Sequence, residues 1–176
     1  MIVTVRTTQG VYEAIREDIV ENDPNETILF GFLKRVRWRD ETLYLLGSVI
    51  VLGVDEAVRS PMFVRASDEF LYWFYRGFKV GGLAEGFRVV TIHSHPFQVR
   101  GASFSLIDWG AMREDSVAYR DCYGGVEFVW IVFDGDAGAF AGVVVRQDGF
   151  VCVDRLVVVG GRLTVFEGGD LDGFKL

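Results

Sequence analysis

Residues 89–112 of this chain have the sequence VVTIHSHPFQVRGASFSLIDWGAM, and this stretch decides how the other segments are interpreted. A buried strand predicted over residues 88–92 leads into His93 and His95, the two histidines of the protein. Residues two apart in a strand project to the same face, so both imidazoles can bind one object. Pro96 has no backbone donor and restricts the preceding residue to extended geometry, so we expect the strand to end there.

A helix is predicted to follow the loop that contains Gly101. Ser105 suits its N-cap, and Asp108 then lies in the first turn, where a carboxylate is favoured and can face the histidines. Two imidazoles and one carboxylate suit zinc and leave a fourth position for water or substrate, as in catalytic sites. We therefore predict one Zn²⁺ per chain, held by His93, His95 and Asp108.

The composition is that of a globular protein with an acidic surface. The chain has 176 residues, of which 50% are hydrophobic and 14% aromatic, enough for one core. We expect a single domain over residues 1–165 and a loose tail over residues 166–176. The formal charge of -7 argues against nucleic acid or an anionic membrane as partner, since both attract basic surfaces. No stretch approaches the roughly 18 apolar residues of a membrane helix. The first residues also lack signal-peptide features, so the expected location is the cytoplasm.

Alternation and capping patterns predict the other elements. Helices are expected over residues 9–21, from residue 67, and over residues 105–119. The strands expected besides the histidine strand cover residues 2–6, 25–39, 42–55, 127–133, 139–146 and 150–159. We expect the first of these to be a short edge strand, and the last three to form consecutive antiparallel pairs.

Hydrolysis at a metal site needs a proton acceptor beside the coordinated water. Glu26 is the candidate, because it stands where the first helix gives way to a strand predicted to cross the core. The alternative is an ordinary exposed residue at the start of a strand. Glu21 is a rival candidate, although it is predicted to lie at the end of the helix.

Glu26, the HxHP sequence of residues 93–96 and the SxxD sequence of residues 105–108 together resemble the signature of the JAMM (MPN+) metalloproteases. The order of elements over residues 11–159 is similar too. The resemblance implies an α/β, cytidine-deaminase-like JAB/MPN fold, with a mixed, largely antiparallel sheet flanked by helices. It also implies an isopeptidase or peptidase that hydrolyses bonds after the C-terminal tail of a ubiquitin-like protein. The HSHPF sequence and the short chain are most similar to the prokaryotic JAB-domain branch, whose relatives are linked with ubiquitin-like conjugation or sulfur-carrier proteins.

The same resemblance implies a role for each motif residue. The implied zinc ligands are His93, His95 and Asp108. Glu26 matches the general acid/base of the family, and Ser105 matches the serine that stabilises the oxyanion.

Two features depart from the family pattern. Nine residues separate His95 from Ser105, which is longer than the commoner family spacing. Ser103 is therefore a rival candidate for the serine that stabilises the oxyanion. It is weaker than Ser105, because no aspartate stands three residues after it. Leu29 stands where the family often has glycine, with Gly31 two residues further on.

Two other kinds of function remain open at this point. One is a non-catalytic module of the same fold that binds ubiquitin-like tails, and the other is a zinc amidase that acts on a small molecule. An open site beside an unpaired strand edge would favour a protein tail. A closed pocket would favour a small substrate.

Overall fold

A nine-stranded sheet dominates the structure, a computed structural model that describes residues 1–98, 101–123, 127–146 and 149–169. The strands of this sheet are β1 (Ile2–Thr8), β2 (Ile28–Trp38), β3 (Glu41–Val51), β6 (Arg88–His95), β7 (Phe128–Asp134), β8 (Phe140–Arg146), β9 (Gly149–Cys152), β10 (Arg155–Val159) and β11 (Leu163–Glu167). A separate hairpin consists of β4 (Ala57–Ser60) and β5 (Phe63–Ala66). The α-helices are α1 (Gln9–Asn22), α2 (Asp68–Val80) and α3 (Leu106–Tyr123).

The strand order across the sheet is β11-β10-β1-β3-β2-β6-β7-β8-β9. β1 pairs in parallel with both β10 and β3, and β6 pairs in parallel with β7, while the other neighbours are antiparallel. The prediction that residues 2–6 form an edge strand is therefore wrong. Val3 and Val5 are fully buried. The alternation of apolar and polar residues in this segment indicates which face of the strand is buried, but it does not indicate whether the strand has a neighbour on each side.

The prediction of one strand over residues 150–159 is also wrong, because two strands with different partners occupy this segment. β9 forms a hairpin with β8, whereas β10 lies beside β1. The break falls at Asp154, whose backbone N–H donates to the Val3 carbonyl oxygen (2.8 Å) and whose Oδ2 accepts from the Val3 N–H (2.7 Å). These two bonds attach the segment between β9 and β10 to the first strand.

Helices pack against both faces of the sheet. Ile15 and Ile19 of α1 are buried in the cluster that contains Val3 and Val5. On the other face the ring of Phe32 stacks on Phe74 of α2, with ring centroids 5.3 Å apart. The first turns of α3 add buried residues to this second cluster, namely Trp109 and Met112. The site described below lies at the edge of the second cluster.

The predicted fold class is wrong. The family resemblance implied a cytidine-deaminase-like JAB/MPN sheet flanked by helices, whereas the described residues form mainly one large curled mixed sheet, a half-barrel of nine strands with three α-helices. β10 and β11 widen the sheet beyond β1. Successive strands rotate by about 20–25° relative to one another, so a sheet of this width curls.

Several local predictions are confirmed. α1 covers the helix predicted over residues 9–21, β2 and β3 form the predicted hairpin, and Ser67 caps α2 by accepting a hydrogen bond from the Phe70 N–H (3.1 Å). β6 ends immediately before Pro96. In the predicted tail, residues 170–176 lie outside the described residues. Within the described ranges, no helix is long and apolar enough to span a bilayer.

Candidate metal centre

The antiparallel pairing of β2 with β6 brings Glu26 to the histidines. Ile28 lies opposite His93. In an antiparallel pair, the residue two positions before Ile28 therefore comes opposite the residue two positions after His93. Those residues are Glu26 and His95, and their side-chain atoms Oε1 and Nε2 lie 4.0 Å apart.

Buried hydrogen bonds fix this register beyond the end of β2. The Ser94 N–H donates to the Thr27 carbonyl oxygen (3.1 Å), and the Thr27 N–H donates to the Ser94 Oγ (3.1 Å). The Thr27 hydroxyl donates in turn to the Asp18 carboxylate on α1. Thr27 and Ser94 are fully buried, and Asp18 is nearly so. This set, called here the Asp18–Thr27–Ser94 anchor, holds the neighbours of Glu26 and of both histidines.

The first turn of α3 supplies the carboxylate. The Ser105 Oγ accepts a hydrogen bond from the Asp108 N–H (3.2 Å), and the Asp108 Oδ2 accepts one from the Ser105 N–H (2.5 Å). These reciprocal bonds are a capping box. They satisfy two donors at the start of α3 and orient the carboxylate towards β6.

The geometry of the three side chains fits a metal ion. The Asp108 Oδ1 lies 3.2 Å from the His93 Nε2, and its Oδ2 lies 3.3 Å from the His95 Nε2. One potential ligand atom from each residue lies within 4.8 Å of the others. Ligand atoms that bind zinc at about 2.0–2.2 Å with tetrahedral angles lie about 3.3–3.6 Å from one another. The two distances between Asp108 and the histidines are close to this range. His93, His95 and Asp108 could therefore hold a metal ion.

His93 gives a further reason to expect an ion. Both of its ring nitrogens are buried. Its Nε2 faces the Asp108 Oδ1 at 3.2 Å without a well-aligned hydrogen bond, and its Nδ1 has no hydrogen-bond partner within the described part of the chain. An unsatisfied buried polar group costs about 1–3 kcal/mol, so native structures rarely retain one without a reason. A coordinated metal ion would satisfy one of these nitrogens.

The electrostatics of the site follow from burial and from the three facing groups. Burial disfavours the charged form of Asp108, but the adjacent imidazoles and the Ser105 N–H outweigh it and hold the pKa of Asp108 well below its usual range. Burial lowers the pKa of His95, yet the Asp108 and Glu26 carboxylates raise it above its ordinary value. Burial, opposed by His95 and reinforced by Asp108, raises the pKa of Glu26 to about 7. Glu26 can therefore both accept and release a proton near neutral pH.

The rival residues lie away from this cluster. Glu21 is exposed in the last turn of α1. Ser103 is exposed, and its hydroxyl contacts the Gln98 side-chain amide (Nε2, 3.1 Å). Ser105 instead shares the wall of one cavity with Glu26.

This cavity, called here the site cavity, has a volume of about 490 Å³. Ligand pockets in proteins commonly measure about 300–1,000 Å³. The candidate ligands His93 and Asp108 form part of its wall, as do Glu26 and Ser105. A molecule in the cavity would therefore touch the metal-binding side chains.

Sequence reasoning missed two parts of the site. The Asp18–Thr27–Ser94 anchor could have been suspected only from the polar Thr27 before an apolar strand and from the serine between the histidines. Asp115, which lies about two helical turns after Asp108 on α3, also lines the site cavity. Burial and the nearby Glu114 carboxylate raise the pKa of Asp115 to about 6. No motif around residue 115 indicates this location.

Comparisons with known proteins describe the fold and leave the activity open. The chain resembles the solution structure of protein DSY2949 from Desulfitobacterium hafniense, with a TM-score of 0.53 and 14% sequence identity. The match covers 88% of this chain and 92% of that one. At this identity the likeness concerns the fold alone. No family model and no curated protein matches the sequence.

Proposed function

We propose that the protein is a zinc-dependent hydrolase of amide bonds. The observation that carries this proposal is the position of the Glu26 carboxylate, 4.0 Å from the His95 Nε2 beside an open three-residue ligand set. Two imidazoles and one carboxylate match zinc better than magnesium or calcium, which prefer oxygen ligands. Three protein ligands also leave a position for water, as catalytic rather than structural zinc sites do.

Each residue has a defined task in such a reaction. When bound, zinc supplies a Lewis acid that polarises a carbonyl group and makes a coordinated water more acidic. Glu26 accepts the proton of the attacking water and passes it to the leaving amine. The Ser105 Oγ already accepts a hydrogen bond from the Asp108 N–H, which leaves its own hydrogen available for the developing oxyanion.

Two substrate types are consistent with this chemistry. The motif resemblance favours a peptide or isopeptide bond after the tail of a ubiquitin-like or sulfur-carrier protein. The site cavity, with its volume of about 490 Å³ next to the ligand residues, favours a small-molecule amide as a second candidate.

Zinc content tests the metal site first. Elemental analysis of purified protein should find one zinc per chain, and the double variant His93→Ala/His95→Ala should lose it. Asp108→Asn should weaken zinc binding by more than about 100-fold, because substitutions of residues that merely hydrogen-bond to metal ligands already reduce metal affinity about 10- to 100-fold. A wild-type protein that takes up no zinc would refute the proposed function.

Glu26→Gln tests the proton transfer separately. This variant should keep its zinc and lose hydrolysis of ubiquitin-like C-terminal amides and of small aryl amides. The matched control is Glu21→Gln, which makes the same change at an exposed position of α1 and should keep full activity. Activity of Glu26→Gln equal to wild type would remove Glu26 from the mechanism. Zinc binding with no hydrolysis by any form would instead favour a non-catalytic binding module.

A further inference from the structure

The site cavity continues from the candidate ligands into a largely apolar compartment lined by residues of β2, β5, β7, α2 and α3. This inner part of its wall is formed by Ile28, Phe30, Leu71, Tyr75, Ala111 and Trp130. Phe30 and Trp130 are almost fully buried, and both belong to the core cluster that contains Phe74 and Met112. These packed core residues give the compartment a firm inner wall, while the exposed residues Met62 and Ile107 also line the cavity.

The site cavity has an acidic wall, which disfavours anionic ligands. The acidic residues Glu114 and Asp115 on α3 line the cavity in addition to Glu26 and Asp108. Arg65 is the one basic residue among the described lining residues, and it forms an ion pair at 2.7 Å with a carboxylate of α2. An anionic group in the compartment would lie near several carboxylates and would lose its hydration, so it is disfavoured.

We infer that the substrate carries a bulky, apolar and uncharged group next to the hydrolysed bond, and that this group occupies the compartment. The inference rests on the proposed zinc-dependent hydrolysis and, of the two substrate types given above, favours the small-molecule amide over a tail that ends in glycine. A glycine beside the bond would leave the compartment filled only by water against an apolar wall. A bulky group would displace that water and bury its own apolar surface.

Hydroxamic acids test the inference because their common head binds zinc while the attached group can be varied. Three probes are compared on zinc-loaded protein by isothermal titration calorimetry, namely acetohydroxamic acid, phenylpropionohydroxamic acid and succinomonohydroxamic acid. We expect the phenyl probe to bind about 10- to 100-fold more tightly than acetohydroxamic acid. The carboxylate of the succinyl probe should give no gain over acetohydroxamic acid.

A pair of variants on α3 distinguishes binding of the phenyl group in the compartment from non-specific hydrophobic binding elsewhere on the protein. Ala111→Phe places a ring in the wall and should reduce the preference for the phenyl probe over acetohydroxamic acid at least about fivefold. Val117→Phe makes a comparable addition at an exposed position of the same helix and should leave the preference unchanged. Zinc content and circular dichroism confirm that both variants are folded.

The possible failures are distinguishable. Equal binding of the phenyl and acetyl probes to a protein with one zinc per chain would overturn the inference and leave the proposed function standing. A stronger gain from the succinyl probe would overturn it as well. Absence of zinc binding would refute the proposed function together with the inference.

Discussion

The Asp18–Thr27–Ser94 anchor leads to a prediction about the variant Thr27→Val. Valine has nearly the shape of threonine but cannot donate the hydrogen bond that Asp18 accepts. Among the described residues, the Asp18 carboxylate would then keep the hydrogen bond that the Asn22 side chain donates to its Oδ1 (3.1 Å). The carboxylate is nearly fully buried, so the lost partner cannot be replaced fully by water.

The magnitude follows from this burial. Leaving a buried polar group unsatisfied costs about 1–3 kcal/mol, and more for a charged one, so we expect Thr27→Val to lose about 2–3 kcal/mol of unfolding free energy. Thr7→Val is the matched control, because the Thr7 hydroxyl is also buried and donates to a neutral acceptor, the Leu46 carbonyl oxygen (3.0 Å). Its cost should be about 0.5–1.5 kcal/mol.

Urea denaturation of the metal-free proteins measures both values, and an unchanged denaturant slope would show that the transition is comparable. Zinc affinity provides the second measurement. Thr27 lies between Glu26 and β2 and is bonded to the serine between the histidines, so Thr27→Val should also weaken zinc binding, whereas Thr7→Val should not. A stability loss no greater than that of Thr7→Val would refute the role assigned to the charged acceptor. Unchanged zinc affinity would refute the role of the anchor in positioning the site.

The other predictions concern a pH dependence and a close contact in the sheet. Burial and the neighbouring Glu114 raise the pKa of Asp115 to about 6. The protonation of Asp115 in the folded state therefore stabilises the protein fully below about pH 4, and this stabilisation is lost as the pH rises through 6. Asp115→Asn, which resembles the protonated form, should stabilise the protein by about 1–3 kcal/mol at pH 8 and change little at pH 4. Thermal unfolding at both pH values measures this, and an equal gain at both would contradict it. Gly31→Ala should destabilise the protein by about 1–3 kcal/mol, because an added Cβ would lie 2.9 Å from the Ser48 carbonyl oxygen. Gly47→Ala, whose Cβ would meet nothing within 4 Å, should cost little in the same urea titration. Equal costs would show that the contact at Gly31 relaxes freely.

Local rules explain which parts of the site could be predicted. The shared direction of His93 and His95 follows from strand alternation, and the orientation of Asp108 follows from the capping box with Ser105. Both rules act within a few residues. The position of Glu26 depends on the pairing of β2 with β6, which places Ile28 opposite His93. The sequence alone does not specify that register. Glu26 is therefore predicted from its place before a core strand and from the family resemblance, and not from its distance to the histidines.

Long-range pairing explains why the fold class was predicted wrongly. β1 has parallel neighbours on both sides, and one of them, β10, begins about 150 residues later in the chain. The bonds between Val3 and Asp154 that attach these segments leave no local pattern. The alternation in residues 150–159 is compatible with one strand or with two short ones. The widened, curled sheet results from these contacts between distant segments.

The candidate site is largely independent of the part of the fold that was predicted wrongly. Its residues come from the segment before β2, the end of β6 and the first turn of α3. β1, β10 and β11, whose placement the sequence did not reveal, contribute no residue to the site cavity among those described. Folds do not determine function, whereas the geometry and chemistry of a site do. The correction to the fold therefore leaves intact the distances that support metal binding, and the proposal of hydrolysis rests on those distances and on the chemistry of Glu26, His93, His95 and Asp108 rather than on the predicted fold class.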